Sequence, residues 1–131
     1  TALAKGSILV GREIMEAVSE KRVEKGDVLA VAQVAGIMAV KQPAFLIPMC
    51  HTIILEKCQL EFEILPEENK ITEYCRVKCQ GKTGVEMESL TGVTGALLTI
   101  YDMCKAIDKR MEIGEIHLVE KTGGKSGNFK F

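Results

Sequence analysis

The spacing of apolar positions divides the chain into helix-like and strand-like stretches. Over residues 11–22, Ile14, Met15 and Val18 fall on one helical face, with Glu13, Glu16, Glu20 and Lys21 opposite. After the polar break Glu24-Lys25-Gly26, Asp27 stands where an N-cap is wanted for a second helix, Val28–Val40. That segment is apolar almost all round, broken only by Gln33, which predicts burial between other layers. On this pattern two helices fill the first third. Gln42-Pro43 ends the second of them, and the two prolines around 44–47 keep the helix from continuing.

The middle third alternates with a period of two. Cys58, Leu60, Phe62 and Ile64 share one face; after the turn Pro66-Glu67-Glu68-Asn69, Ile71, Cys75, Val77 and Cys79 share another. This is a hairpin, with Glu73 the one charged residue on its apolar face. Beyond Gly81 and Gly84, Met87, Leu90, Leu97, Ile100, Tyr101, Cys104 and Ile107 keep helical spacing and predict a long helix over about 86–109. A last strand over 115–121 follows Gly114, and the glycine-rich stretch 122–127 reads as irregular. Helices mixed with antiparallel strands, in one domain over residues 1–131, make the fold α+β: a small sheet with helices on one face.

Composition narrows the function. Seventeen basic against eighteen acidic residues argue against bulk binding of nucleic acid, though not against a local basic pocket. No apolar run reaches bilayer length, so no membrane partner is expected. Five cysteines without a CxxC pair read as reduced thiols, which predicts a cytoplasmic setting. The chain starts at Thr1 rather than methionine, which leaves room for a preceding segment.

Four places could carry chemistry. In Ile47-Pro48-Met49-Cys50-His51 a proline-stiffened loop delivers a cysteine and a histidine, an imidazole that trades protons near neutrality and pairs with phosphate as a cation. A histidine satisfied by a backbone carbonyl is the plain alternative, and a zinc site lacks a second ligand pair. On the long helix, Glu88, Thr91, Gly95, Asp102 and Lys105 trace one polar stripe. Gly92 and Gly95 there each cost about 1 kcal/mol relative to alanine, so something packs close: a helix, a partner subunit or a ligand. Asp102 and Lys105 are also placed for a simple surface ion pair. Gly124-Lys125-Ser126 ends like a Walker A loop, but Val119 stands where its first glycine belongs and no helix follows. A glycine-rich basic loop can still wrap phosphate; a solvated terminus is the alternative. Lys25 before Gly26 is the fourth candidate, unremarkable on its own.

Three segments resemble a known family: Leu46-Ile47-Pro48-Met49-Cys50-His51; Lys82-Thr83-Gly84-Val85-Glu86-Met87-Glu88 with Leu90-Thr91-Gly92-Val93; and Tyr101-Asp102-Met103-Cys104-Lys105-Ala106-Ile107-Asp108-Lys109. With the 121–127 stretch, they look like the cyclic pyranopterin monophosphate synthases of molybdenum-cofactor biosynthesis. The resemblance implies a ferredoxin-like α+β fold and a hexamer built from dimers, with active sites at subunit interfaces. It implies a lyase that converts the cyclised dihydroguanosine triphosphate supplied by a partner radical enzyme into a cyclic phosphate, releasing pyrophosphate. Carried over by position, Asp102, Lys105 and Lys25 would be catalytic. Met49, Cys50, His51, Glu86, Met87, Glu88, Lys121 and Lys125 would bind substrate. No tightly bound cofactor and no metal site are implied; magnesium would come only with the triphosphate. Thr52 departs from the family, which often has proline after the Cys-His pair. A non-catalytic anion-binding module and a purely structural oligomer are the rival readings.

Overall fold

The computed structural model describes residues 1–131. Its elements are β1 (Ala2–Leu9), α1 (Gly11–Ser19), α2 (Val28–Val40), α3 (Pro43–Leu46), β2 (Leu55–Leu65), β3 (Lys70–Cys79), α4 (Glu86–Cys104), β4 (Glu112–Lys121) and β5 (Phe129–Lys130). The five strands form one antiparallel sheet in the order β2-β3-β1-β4-β5. Helices cover one face. This is the ferredoxin-like α+β arrangement, with the first helical crossover expanded into α1, α2 and α3.

The strand that the sequence pattern missed is the central one. β1 pairs with β3 on one side and β4 on the other, from Ala2↔Val77 and Ala2↔Lys121 to Leu9↔Lys70 and Leu9↔Glu112. Its helix-facing positions are Ala2, Ala4, Gly6 and Ile8, three of them too small to give an apolar strand signal. Their size follows from the packing above. A Cβ on Gly6 would stand 2.6 Å from Cγ1 of Val93 and 2.9 Å from Cδ1 of Leu97 on α4. So the first third is a strand and two helices.

The helix glycines are explained by a neighbouring helix. A Cβ on Gly95 would come within 2.6 Å of Ala39 Cβ on α2, and one on Gly92 within 2.6 Å of Val40 and 2.7 Å of the Cys75 sulfur. Gly36 on α2 meets Leu60 and the Gly92 carbonyl in return. Small residues on both helices let their backbones approach closely and let α4 press on the sheet.

Several boundaries move for local reasons. α1 ends at Ser19 because Lys21 turns left-handed (φ 56°). α2 runs as expected, with the Asp27 carboxylate accepting from Ala30 N–H at 3.2 Å. It is not buried all round: Val34 and Met38 are 58% and 60% exposed, so one apolar face is uncovered. Pro43 starts a one-turn helix where only a break was expected, because its fixed φ suits a first helical position. α4 stops at Cys104, five residues short of the expected end, and the Tyr101 hydroxyl donates to the Lys109 carbonyl at 3.0 Å across the turn that follows. β4 begins at Glu112, ahead of a bulge at Glu115 (φ 58°). The 122–128 loop is hydrogen-bonded onto the sheet by β5 and by Phe131 N–H donating to Val119 O. All five cysteines are free, with Cys75 and Cys104 buried and Cys50, Cys58 and Cys79 half-buried.

Glu73, the charged residue on the apolar face of β3, is fully buried, and neither carboxyl oxygen has a hydrogen-bond partner. Burial, and secondarily the nearby Cys58 thiol, push its carboxyl up to about 8. A neutral acid is far cheaper to bury than a carboxylate. The folded chain therefore holds a proton that the unfolded chain releases above about 4.5. Stability should fall as pH rises from 4.5 toward 8, by on the order of 4 kcal/mol for this group, and level off above. Carboxyls held low, such as Asp108 beside Arg110, act only in the acid range below that window. Urea unfolding at pH 5 and at pH 8.5 should show this slope in the wild type and not in Glu73→Met; equal slopes would place the charge elsewhere. Gly95→Ala gains helix propensity but should still lose about 1–3 kcal/mol, since Ala39 Cβ cannot swing away.

Candidate active site

The candidate residues gather at the two ends of α4. Near its C-terminal end, Lys105 Nζ lies 3.0 Å from Asp102 Oδ1. Lys25, delivered by the turn between α1 and α2, reaches Asp102 Oδ2 at 3.7 Å and donates to the Asp102 backbone carbonyl at 3.3 Å. The hydrogen bond from Lys105, its charge and then the charge of Lys25 hold the Asp102 carboxyl below the ordinary aspartate value. All three side chains remain open to solvent. Lys25 also lines a hollow of about 590 Å3 with Arg22, Glu24 and Met103. An ionised carboxylate between two ammonium groups can accept a proton, and either lysine can return one.

At the N-terminal end of α4, a hollow of about 580 Å3 is lined by His51, Thr83, Gly84, Glu86, Leu118, Lys121, Lys125, Ser126 and Phe129. Lys121 closes β4, opposite Ala2, and is nearly buried. Its ammonium meets Glu86 Oε1 at 2.8 Å and donates to Ser126 Oγ at 2.7 Å. Burial pushes the Glu86 carboxyl up, but the hydrogen bond from Lys121, its own N–H at the helix start and the Lys121 charge outweigh it, leaving it low. Glu88 faces the other way, buried beside His51 in a second hollow of about 280 Å3 with Lys41 and Pro43. There burial raises its carboxyl, helped by the Glu86 charge. His51 stands between the two hollows. Met49 is 87% exposed at the surface of the loop before it, Cys50 is half-buried, and Met87 flanks the helix start.

The two groups are not together within one chain. Asp102 follows Glu86 by sixteen helical residues, which is about 24 Å along the axis. The stripe that joins them on paper is interrupted in space, since Gly95 is covered by α2. Sequence reasoning missed Ser126 and Phe129 as lining residues. The Gly-Lys-Ser string was the available signal for Ser126; nothing in the pattern announced that the chain folds back to bring Phe129.

This is an α+β protein with a ferredoxin-like sheet, whose long helix bears a carboxylate between two lysines at one end and a lysine-bearing hollow at the other, groups of the kinds that can exchange protons and hold an anion. Residues 1–124 match the model of the MoaC family, and the chain belongs to that family. It is 55% identical to a cyclic pyranopterin monophosphate synthase of Clostridium botulinum (strain Alaska E43 / Type E3), over 98% of this chain and 80% of that one. It is also 55% identical to the synthase of Thermoanaerobacter pseudethanolicus, over 98% of this chain and 82% of the relative. The Bacillus thuringiensis subsp. konkukian synthase is 50% identical over 98% and 81%.

The electrostatics of the Asp102 cluster can be read directly. Lys105→Met should raise the Asp102 carboxyl toward 3.8, the ordinary aspartate value, followed by carbon-detected NMR titration. No movement would mean that Lys105 does not hold the carboxylate in solution.

Proposed function

We propose that this protein is a lyase of molybdenum-cofactor biosynthesis that converts a cyclised dihydroguanosine triphosphate into cyclic pyranopterin monophosphate and pyrophosphate. The observation that carries the reading is the meeting of Asp102 with Lys25 and Lys105 at 3.0–3.7 Å, in a chain about half identical along its length to proteins named as synthases of that product. Those names favour catalysis over an anion-binding module or a structural oligomer.

Closing a cyclic phosphate requires a ribose hydroxyl to attack the α-phosphorus while pyrophosphate departs, so negative charge grows on the leaving group. Rearranging the purine requires protons to be taken and returned. In this reading Asp102 and Lys105 exchange those protons, and Lys25 adds to the charge of Lys105 in holding the Asp102 carboxylate ionised. His51, Lys121 and Lys125 grip phosphate, and Met49, Cys50, Glu86, Met87 and Glu88 shape the surrounding walls. No group of three or more His, Cys, Asp or Glu side chains gathers as a metal site would; a magnesium ion would enter on the triphosphate as part of the substrate.

Glu86 and Asp102 stand about 24 Å apart along the axis of α4, which argues against one chain bringing both groups to a single substrate. That separation favours a composite active centre, with the Asp102 cluster of one copy facing the His51 hollow of another, in a hexamer built from dimers. Exposed apolar side chains support assembly: Val34 and Met38 of α2, and Phe45, Leu46 and Met49 in the segment that follows it, are all open to solvent, more than a chain standing alone would leave uncovered. No helix is long and apolar enough to cross a membrane, and five free cysteines suit a reducing cytoplasm.

Asp102→Asn, Lys105→Ala and His51→Ala should each fold and release little or no pyrophosphate from the cyclised substrate. Mixing Asp102→Asn with His51→Ala subunits, after dissociation and reassembly, should restore activity toward about a quarter of wild type, the chance that two intact halves meet. Full turnover by the single variants would remove the assignment; absence of recovery in the mixture would remove the composite site.

A further inference from the structure

The loop after β4 is built back onto the residue that precedes it. β5 pairs Phe129 with Lys121 and Lys130 with Glu120, while Phe131 N–H donates to Val119 O at 2.8 Å. Gly123 and Gly124 take left-handed φ of 77° and 78° to make the reversal, and Gly123 N–H is fixed by Asn128 Oδ1 at 3.1 Å. The reversal carries Ser126 to the ammonium of Lys121, at 2.7 Å. Lys121 is thus gripped from two sides, by the Glu86 carboxylate and by a hydroxyl five residues along its own chain.

The two grips do different things. An ammonium has three N–H donors on a flexible four-carbon stem, and holding it in one place beforehand lowers the entropy lost on binding. Glu86 tethers Lys121 but offsets the charge that a phosphate would seek. Ser126 is neutral: it takes up an N–H and fixes direction without cancelling charge. With Glu86 and Ser126 each engaging one N–H, one donor of Lys121, a residue that lines the hollow, is left for a ligand.

We propose that Ser126 is a positioning residue that aims Lys121 at a phosphate of the substrate; this rests on the functional reading above. Ser126 is exposed, so loss of its hydroxyl opens no cavity in the core. Steady-state kinetics of pyrophosphate release from the cyclised triphosphate test it with four proteins: Ser126→Ala, Ser126→Thr, Lys121→Ala and the Lys121→Ala/Ser126→Ala double variant. Ser126→Ala should raise KM about tenfold, the size of a hydrogen bond to a charged group, with kcat within about twofold. Ser126→Thr, which keeps the hydroxyl, should restore most of the loss, and the double variant should be no worse than Lys121→Ala. Wild-type KM in Ser126→Ala, loss in kcat alone, failure of threonine to rescue, or losses that multiply in the double variant would each overturn the positioning role and leave the functional reading intact. A wild-type protein that releases no pyrophosphate would overturn both.

Discussion

Helix α4 lies unusually close to everything beneath and beside it, and the positions of both candidate half-sites follow from that closeness. Gly6 lets Val93 and Leu97 sink onto β1, while Gly92 and Gly95 meet Gly36, Ala39 and Val40 of α2 almost backbone to backbone. Packing of this kind has little slack: an added methyl would displace side chains at Gly6 and Gly92, and at Gly95 it would meet Ala39 Cβ, which is fixed to its backbone. Once α4 is fixed, its first turn sets Glu86 against Lys121 and its last turn sets Asp102 against Lys25. A strained or loosened helix would misalign both ends together, so the cost of three glycines in two helices is offset by rigidity at the two candidate half-sites.

Electrostatics near the two ends is arranged locally rather than globally. Nearly equal numbers of acids and bases leave little overall field. Yet Asp102 is flanked by two lysines, and Lys121 is paired with Glu86 in a nearly buried position. Glu86 and Glu88 also differ, although they are two residues apart. One sits on a lysine and is held low; the other turns into the hollow that His51 and Lys41 also line and is raised by burial. Environment separates carboxyls that look equivalent along the chain.

Much of the fold was legible because its elements bury one face and leave periodic traces. The hairpin of β2 and β3, the Asp27 cap and the span of α2 all followed from spacing and cap chemistry. Glu73 stands out in the sequence as a charge on an apolar face, and in the fold it is the residue most at odds with its surroundings. The resemblance in the Cys50-His51, Glu86–Glu88 and Asp102–Lys105 segments supplied the candidate residues, since chemistry of this sort is written in short ordered motifs.

Other features had no local trace. β1 is central and buried, yet its inward positions are Ala2, Ala4 and Gly6, small because α4 needs the space; a pattern that weighs residue size cannot see a strand selected for lack of it. The open face of α2 has the same composition as a buried one, so exposure depends on what lies opposite rather than on its own residues. Lys25 and Asp102 are 77 residues apart, and Lys121 finds Ser126 only because the chain reverses onto β4. The sequence by itself determined the periodic elements and the reactive groups they carry, because those are properties of neighbours along the chain. Which groups meet, and that they divide between the two ends of one helix, was decided only when distant segments competed for the same space around α4.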